Sequence, residues 1–199
     1  MLLGDGGGGT LRPLVAPAQR PAVGAFCTPR SGGAFAFGRR LQESLPHHTL
    51  LALVERNQQG AIATDFVYTL ASGKQGRLSD IKAPFTLIWF YNAGCGECAR
   101  IKAQIEATGY LDMLHSAGIL EVLALYPDGE LENWRKALPE NPSWWISAYD
   151  KGQVIQRQNL YDLKAIPTIY LLDAQKRVVL KDPTVEVLIG VLKRICYGG

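Results

Sequence analysis

Seven consecutive residues, Phe85-Thr-Leu-Ile-Trp-Phe-Tyr91, are nearly all apolar and rich in aromatic and β-branched side chains. A run of that kind cannot keep one face dry and the other wet, so it fits a central strand buried on both sides. A strand covered above and below demands a layered α/β arrangement. Four residues further on stands Cys95-Gly-Glu-Cys98, and Ala99–Ala107 then reads as a helix with Ile101 and Ile105 on one face. The two cysteines therefore lie where a buried strand hands over to a helix.

The remaining pattern supplies partners for that strand. Ala63–Leu70 reads as a short strand, followed by the turn Ala71-Ser-Gly-Lys and a second strand or edge near Arg77-Leu78. Ile119–Leu125 is a second buried strand. Asp128 can cap a helix through about Leu138, where Pro139 and Pro142 stop it. Trp144–Tyr149 is expected to be partly extended, and Leu160–Lys164 to be a short helical segment leading to Pro167. Thr168–Leu172 and Val178–Lys181 form a hairpin. A last helix is expected to begin with Asp182 as N-cap and Pro183 in its first turn, with Val185, Leu188, Ile189 and Leu192 facing the core. The order β-α-β-α-β-β-α predicts a mixed sheet with helices on both faces.

The start of the chain is different in kind. Residues 1–40 hold Gly6–Gly9, Gly32-Gly33 and four scattered prolines without periodicity, which predicts a disordered tail, or a truncated or misassigned beginning. No basic start followed by an apolar stretch marks a secretory signal. Residues 41–60 read as a leading helix that Gly60 ends, and 61–197 as the folded domain. The net charge of +3 is no sign of nucleic-acid binding. Arg12, Arg20, Arg30, Arg39 and Arg40 face the single acid Asp5 in the first forty residues, and the rest of the chain carries one more acid than base. No apolar run is long enough to cross a bilayer.

Four cysteines are too few for a disulfide-built scaffold, and only two stand together. A helix N-terminus stabilises an anion through its free N–H groups and dipole, so the first thiol of the pair loses its proton more easily. A thiolate is the attacking species in disulfide exchange, which makes Cys95 the candidate nucleophile and Cys98, nearly one helical turn on, the resolving thiol. The competing structural explanation is half a zinc site. That needs a second ligand pair, whereas Cys27 and Cys196 are isolated and His47, His48 and His115 show no paired spacing. Ile166-Pro167-Thr168 precedes a strand. A cis peptide there would turn the chain beside the sulfurs and free backbone groups for an extended substrate, which makes Ile166 and Pro167 candidate substrate-binding residues. A Cys27–Cys196 bridge is compatible with the sequence, and Trp144 and Trp145 could line a groove but read more simply as core.

Strand, C-x-x-C, helix and a downstream Ile-Pro-Thr before a hairpin resemble the thioredoxin superfamily. The entry Ala63-Thr-Asp-Phe with Gly73 and Leu78-Ser-Asp is similar to its TlpA/ResA-like and AhpC/TSA branch. Phe90-Tyr-Asn, Leu125-Tyr-Pro-Asp and Tyr161-Asp-Leu-Lys-Ala-Ile-Pro-Thr resemble thioredoxin-fold proteins of Bacteroidetes, which often carry a further domain in front. The resemblance covers about residues 45–195. It implies a three-layer thioredoxin-like fold and a thiol–disulfide oxidoreductase of bacterial, periplasmic or otherwise extracytoplasmic location. It further implies a monomer that needs no organic cofactor or metal and works on protein thiols and disulfides with a redox partner protein.

Departures narrow what carries over. Gly94 and Glu97 stand where thioredoxins have Trp and Pro, and the buried acid of thioredoxin falls at Trp89. Glu97 should oppose thiolate formation. The threonine that peroxiredoxins need falls at Asn92, which counts against a peroxiredoxin-like peroxidase. A redox-inactive binding module with the same fold also competes with the oxidoreductase, and the cytoplasm competes as its compartment.

Overall fold

The structure, a computed structural model, describes residues 56–198. The expected tail, His47-His48, Cys27 and most of the leading helix lie outside that range, and Arg56–Gly60 form turns. An extended entry segment leads to β1 (Val67–Leu70) and β2 (Gln75–Arg77), and a single 3-10 turn, Leu78–Asp80, leads on to β3 (Phe85–Phe90). Then come α1 (Gly96–Glu106), α2 (Tyr110–Ser116), β4 (Leu120–Tyr126), α3 (Leu131–Ala137), β5 (Ile146–Tyr149) and the one-turn α4 (Val154–Arg157). The hairpin β6 (Thr168–Asp173) and β7 (Val178–Lys181) and the helix α5 (Val185–Tyr197) complete the domain.

The seven strands form one mixed sheet in the order β2-β1-β5-β4-β3-β6-β7. β3 runs parallel to β4 from Phe85↔Leu120 to Phe90↔Leu125, and antiparallel to β6 from Phe85↔Asp173 to Phe90↔Thr168. β4 is parallel to β5, and the outer pairs are antiparallel. The outer edge of β7 begins under cover. Gly60 N–H donates to Val178 O and Val178 N–H to Ala61 O, at 2.8 and 2.9 Å, which shields part of an edge that could otherwise template aggregation.

Strand alternation divides the core in two. On one face Leu87, Trp89 and Tyr91 meet Val122, Ala124, Ile169 and Leu171 under α1, α2, α3 and α5, with Ile105, Leu111, Leu114, Trp134, Leu188 and Leu192 buried there. On the other, Ile88 and Phe90 meet Leu123, Leu125, Tyr170 and Leu172. The cover there is mostly loop: Phe66, Leu78, Ile155 from α4, and Tyr161. Helices thus occupy both faces, very unequally.

Several expectations shift. Asp182 is not the cap of the last helix. Its backbone is left-handed, at φ 45°, and its amide donates to Ile169 O at 2.7 Å. Thr184 caps α5 instead, its hydroxyl accepting from Val187 N–H at 3.4 Å, so Pro183 precedes the helix. Asp128 bonds Gly129 N–H at 2.6 Å and does not cap α3, which starts after Glu130. The segment Leu160–Lys164 is not helical; the helical turn comes earlier, at Val154–Arg157, where Asp150 accepts from Ile155 N–H at 2.7 Å. α2 and the full strand character of Ile146–Tyr149 go beyond what the sequence pattern predicts. Both are short and take their stability from packing, which local propensity does not report.

The loop leading to Pro167 is anchored through Tyr161. Its hydroxyl donates to Thr64 O at 2.7 Å, and its ring meets Phe66 and Tyr170 edge-on at 5.4 and 5.2 Å. Tyr161→Phe should cost about 1–2 kcal/mol by leaving that carbonyl unpaired, and Tyr161→Ala about 3–5 kcal/mol by opening a cavity. Denaturant midpoints at unchanged far-UV circular dichroism would measure both.

Candidate active site

β3 ends at Phe90, and the chain needs only Tyr91–Gly94 to reach the start of α1. Gly94 takes φ 73°, the left-handed conformation that favours glycine, and so turns the chain back over the sheet. Cys95 then becomes the N-cap of α1, with Cys98 N–H donating to its sulfur at 3.2 Å. Cys95 and Cys98 are joined by a disulfide, with their Cα atoms 5.3 Å apart.

The two sulfurs have different surroundings. Cys98 is 5% exposed and belongs to the same apolar cluster as Trp89 and Ile105, following the helical spacing that also turns Ile101 inward. Cys95 is half-buried at the surface. Across from it, the Ile166 carbonyl oxygen lies 3.7 Å from the Cys95 sulfur, and the Ile166–Pro167 peptide is cis. The register Phe90↔Thr168 brings these parts together, since it aligns the exit of β3 with the entry to β6.

Glu97 projects from the first turn of α1 and is not alone. Arg100 grips it at both oxygens, Nε to Oε2 at 2.9 Å and Nη2 to Oε1 at 2.6 Å, and this pairing holds the Glu97 carboxyl below the usual carboxylate range. The expected opposition of Glu97 to a neighbouring thiolate is therefore partly offset by a cation at i+3. Trp89 lies under the sheet's helical face, 1% exposed, in the same apolar cluster as Cys98. Tyr91, further along the same face, is buried and accepts from Asn141 Nδ2 at 3.2 Å; burial raises its hydroxyl's pKa.

A groove of about 250 Å³ lies between α1 and the turn Asp182–Thr184, with Pro167, the residue after the Ile166 that faces the Cys95 sulfur, in its lining. Ile101, Pro167, Ile169 and Val185 give it an apolar floor, and Arg100, Asp182 and Glu186 stand on its rim. Of these residues the sequence marks only Pro167 as part of a site. The spacing Glu97-x-x-Arg100 on a helix is a readable signal for the ion pair. Nothing local announces that Asp182–Glu186 closes the other wall.

The remaining candidates lie elsewhere. Trp145 is core, 5% exposed, and Trp144 stacks on His115 at 4.1 Å while donating its Nε1–H to Asp112. Cys196 lies in the last turn of α5 with its sulfur 3.9 Å from Tyr110 O and is free among the described residues, while Cys27 lies outside them. No helix among the described residues is long and apolar enough to cross a membrane.

No protein-family model matches the chain, and no curated protein does. Solved structures do. A thioredoxin-like protein from Bacteroides caccae is 42% identical with a TM-score of 0.72 over 73% of this chain and 53% of its own, so this chain spans about half the length of that relative. The C-terminal domain of an uncharacterized protein from Bacteroides fragilis is 42% identical with a TM-score of 0.66, over 69% of this chain and 98% of that domain. The thioredoxin domain of a thiol-disulfide oxidoreductase from Bacteroides vulgatus, at 23% identity and a TM-score of 0.59 over 69% of this chain and 97% of its own, shares the fold. With its C-x-x-C pair at a helix N-terminus and this level of identity to Bacteroides domains, the chain belongs to the thioredoxin-like family.

Proposed function

We propose that the protein is a thiol–disulfide oxidoreductase acting on cysteines of other proteins. The observation that carries this reading is the Cys95–Cys98 disulfide at the N-terminus of α1, half-exposed at Cys95 and flanked by Ile166-Pro167. In the reduced state the exposed Cys95 thiolate attacks, favoured by the helix N-terminus. Cys98, kept from solvent, then attacks the Cys95 sulfur of the mixed disulfide and releases the client. Ile166 and Pro167 hold an extended client segment beside the sulfurs. The reaction runs between sulfur atoms and calls for a partner protein to restore the pair, in a compartment outside the cytoplasm and with the protein as a monomer.

Asn92, not threonine, stands three residues before Cys95, which favours exchange over peroxide reduction. The direction of electron flow follows from the reduction potential of the pair, which a redox titration followed by alkylation and mass spectrometry measures. A pair that does not cycle between dithiol and disulfide removes the proposal.

Two outcomes are expected. Cys98→Ser should accumulate mixed disulfides with client proteins through Cys95, visible as adducts that a reductant reverses. Cys95→Ser should accumulate none, and the reverse pattern would exchange the two roles. In the second experiment, Glu97→Gln should lower the midpoint of the pH profile for Cys95 alkylation in the reduced protein by about half a pH unit, because it removes a negative charge that Arg100 offsets in part. Arg100→Ala should move the same midpoint upward.

A further inference from the structure

The groove beside Pro167 is apolar below and charged above. On the α1 side its cation, Arg100, is already committed. Nε and Nη2 bond Glu97, and Nη1 donates to Gln104 Oε1 at 2.9 Å. Its charge is matched by Glu97. On the opposite wall Asp182 and Glu186 bring two carboxylates. Burial raises the Asp182 carboxyl above the usual range, and Lys164, 2.8 Å from Asp162, and Lys181, which donates to Arg56 O at 2.9 Å, both act to lower it. Its own backbone amide and the Thr184 side chain hold the Glu186 carboxyl below the usual range, and the charge of Arg100 acts in the same direction. Among the charged residues lining the groove, two are carboxylates, Asp182 and Glu186, and one is the guanidinium of Arg100, which Glu97 pairs.

Resting on the exchange chemistry proposed above, we infer that this groove selects client segments carrying a lysine or arginine beside the attacked cysteine. The aliphatic stem of such a residue lies along Ile101, Ile169 and Val185 while its charged head reaches Glu186, with Asp182 in support. A groove of about 250 Å³ has room for one long side chain. The covalent step is unaltered. The Cys95 thiolate bonds to the client sulfur, the client S–S bond breaks and its other sulfur leaves as a thiolate. Cys98, losing its proton to solvent, then closes the disulfide and expels the client thiolate. The protein pair gives up two electrons, and the client disulfide takes them.

The test uses two peptides that differ only in Lys or Glu next to a cysteine held as a mixed disulfide with thionitrobenzoate. Each is given to the reduced protein at low salt, and thionitrobenzoate release is timed relative to release by 2-mercaptoethanol from the same peptide, which removes intrinsic differences in reactivity. The Lys peptide should react about fivefold faster, the ratio expected from one exposed ion pair gained and one repulsion avoided. That ratio should fall toward one with Glu186→Gln and in high salt. Equal rates in the unaltered protein, or a preference that survives Glu186→Gln combined with Asp182→Asn, overturn selection by this rim and leave the exchange chemistry standing. If neither peptide releases thionitrobenzoate although alkylation shows Cys95 reduced, the exchange reading fails and the selection fails with it.

Discussion

Everything at the candidate site hangs on the burial of β3 between two different partners. Parallel pairing with β4 and antiparallel pairing with β6 leave no freedom of register, because a slip of one residue would carry Leu87 and Trp89 to the other face and Ile88 and Phe90 in the opposite direction. With the register held, the end of β3 and the start of β6 meet at one edge of the sheet. Cys95 and Ile166-Pro167, with Cys95 and Ile166 71 positions apart in the chain, become neighbours as a consequence of core packing.

The same packing separates the two thiols in character. Desolvation disfavours a charged sulfur, so burial of Cys98 in the cluster with Trp89 works against its ionisation. Cys95 sits at the surface, as the N-cap of α1, where backbone amides favour the anion. The difference supports the proposed division into attacking and resolving sulfurs and requires no acid beneath the pair. At the start of α1, Glu97 and Arg100 pair with each other.

Much of this can be read in the residues, for reasons that differ from element to element. The continuous apolar runs of β3 and β4 announce themselves because burial on both faces imposes a composition that few other settings tolerate. The stripe Val185, Leu188, Ile189, Leu192 shows α5 by periodicity, with Leu188 and Leu192 fully buried. Its cap is not legible in the same way, because Asp182 and Thr184 are both good cap residues. The choice is made by the turn that sends the Asp182 amide to Ile169 O. α2 and α4 are too short for periodicity to speak, and α4 is held by the Asp150 carboxylate, which accepts from an amide five residues further along the chain.

By itself the sequence determined the central strand, the position of Cys95 and Cys98 at a strand-to-helix junction, and Pro167 at the mouth of the next strand. Each of these rests on local constraints: hydrophobic patterning, helix-terminus chemistry and proline's missing N–H. Only the tertiary structure decided which sulfur is covered. It also decided that Asp182 and Glu186 face α1 across an apolar groove. Those are facts of proximity between side chains, most of them far apart in the chain, created when the sheet closes and its helices pack, and no local pattern encodes them.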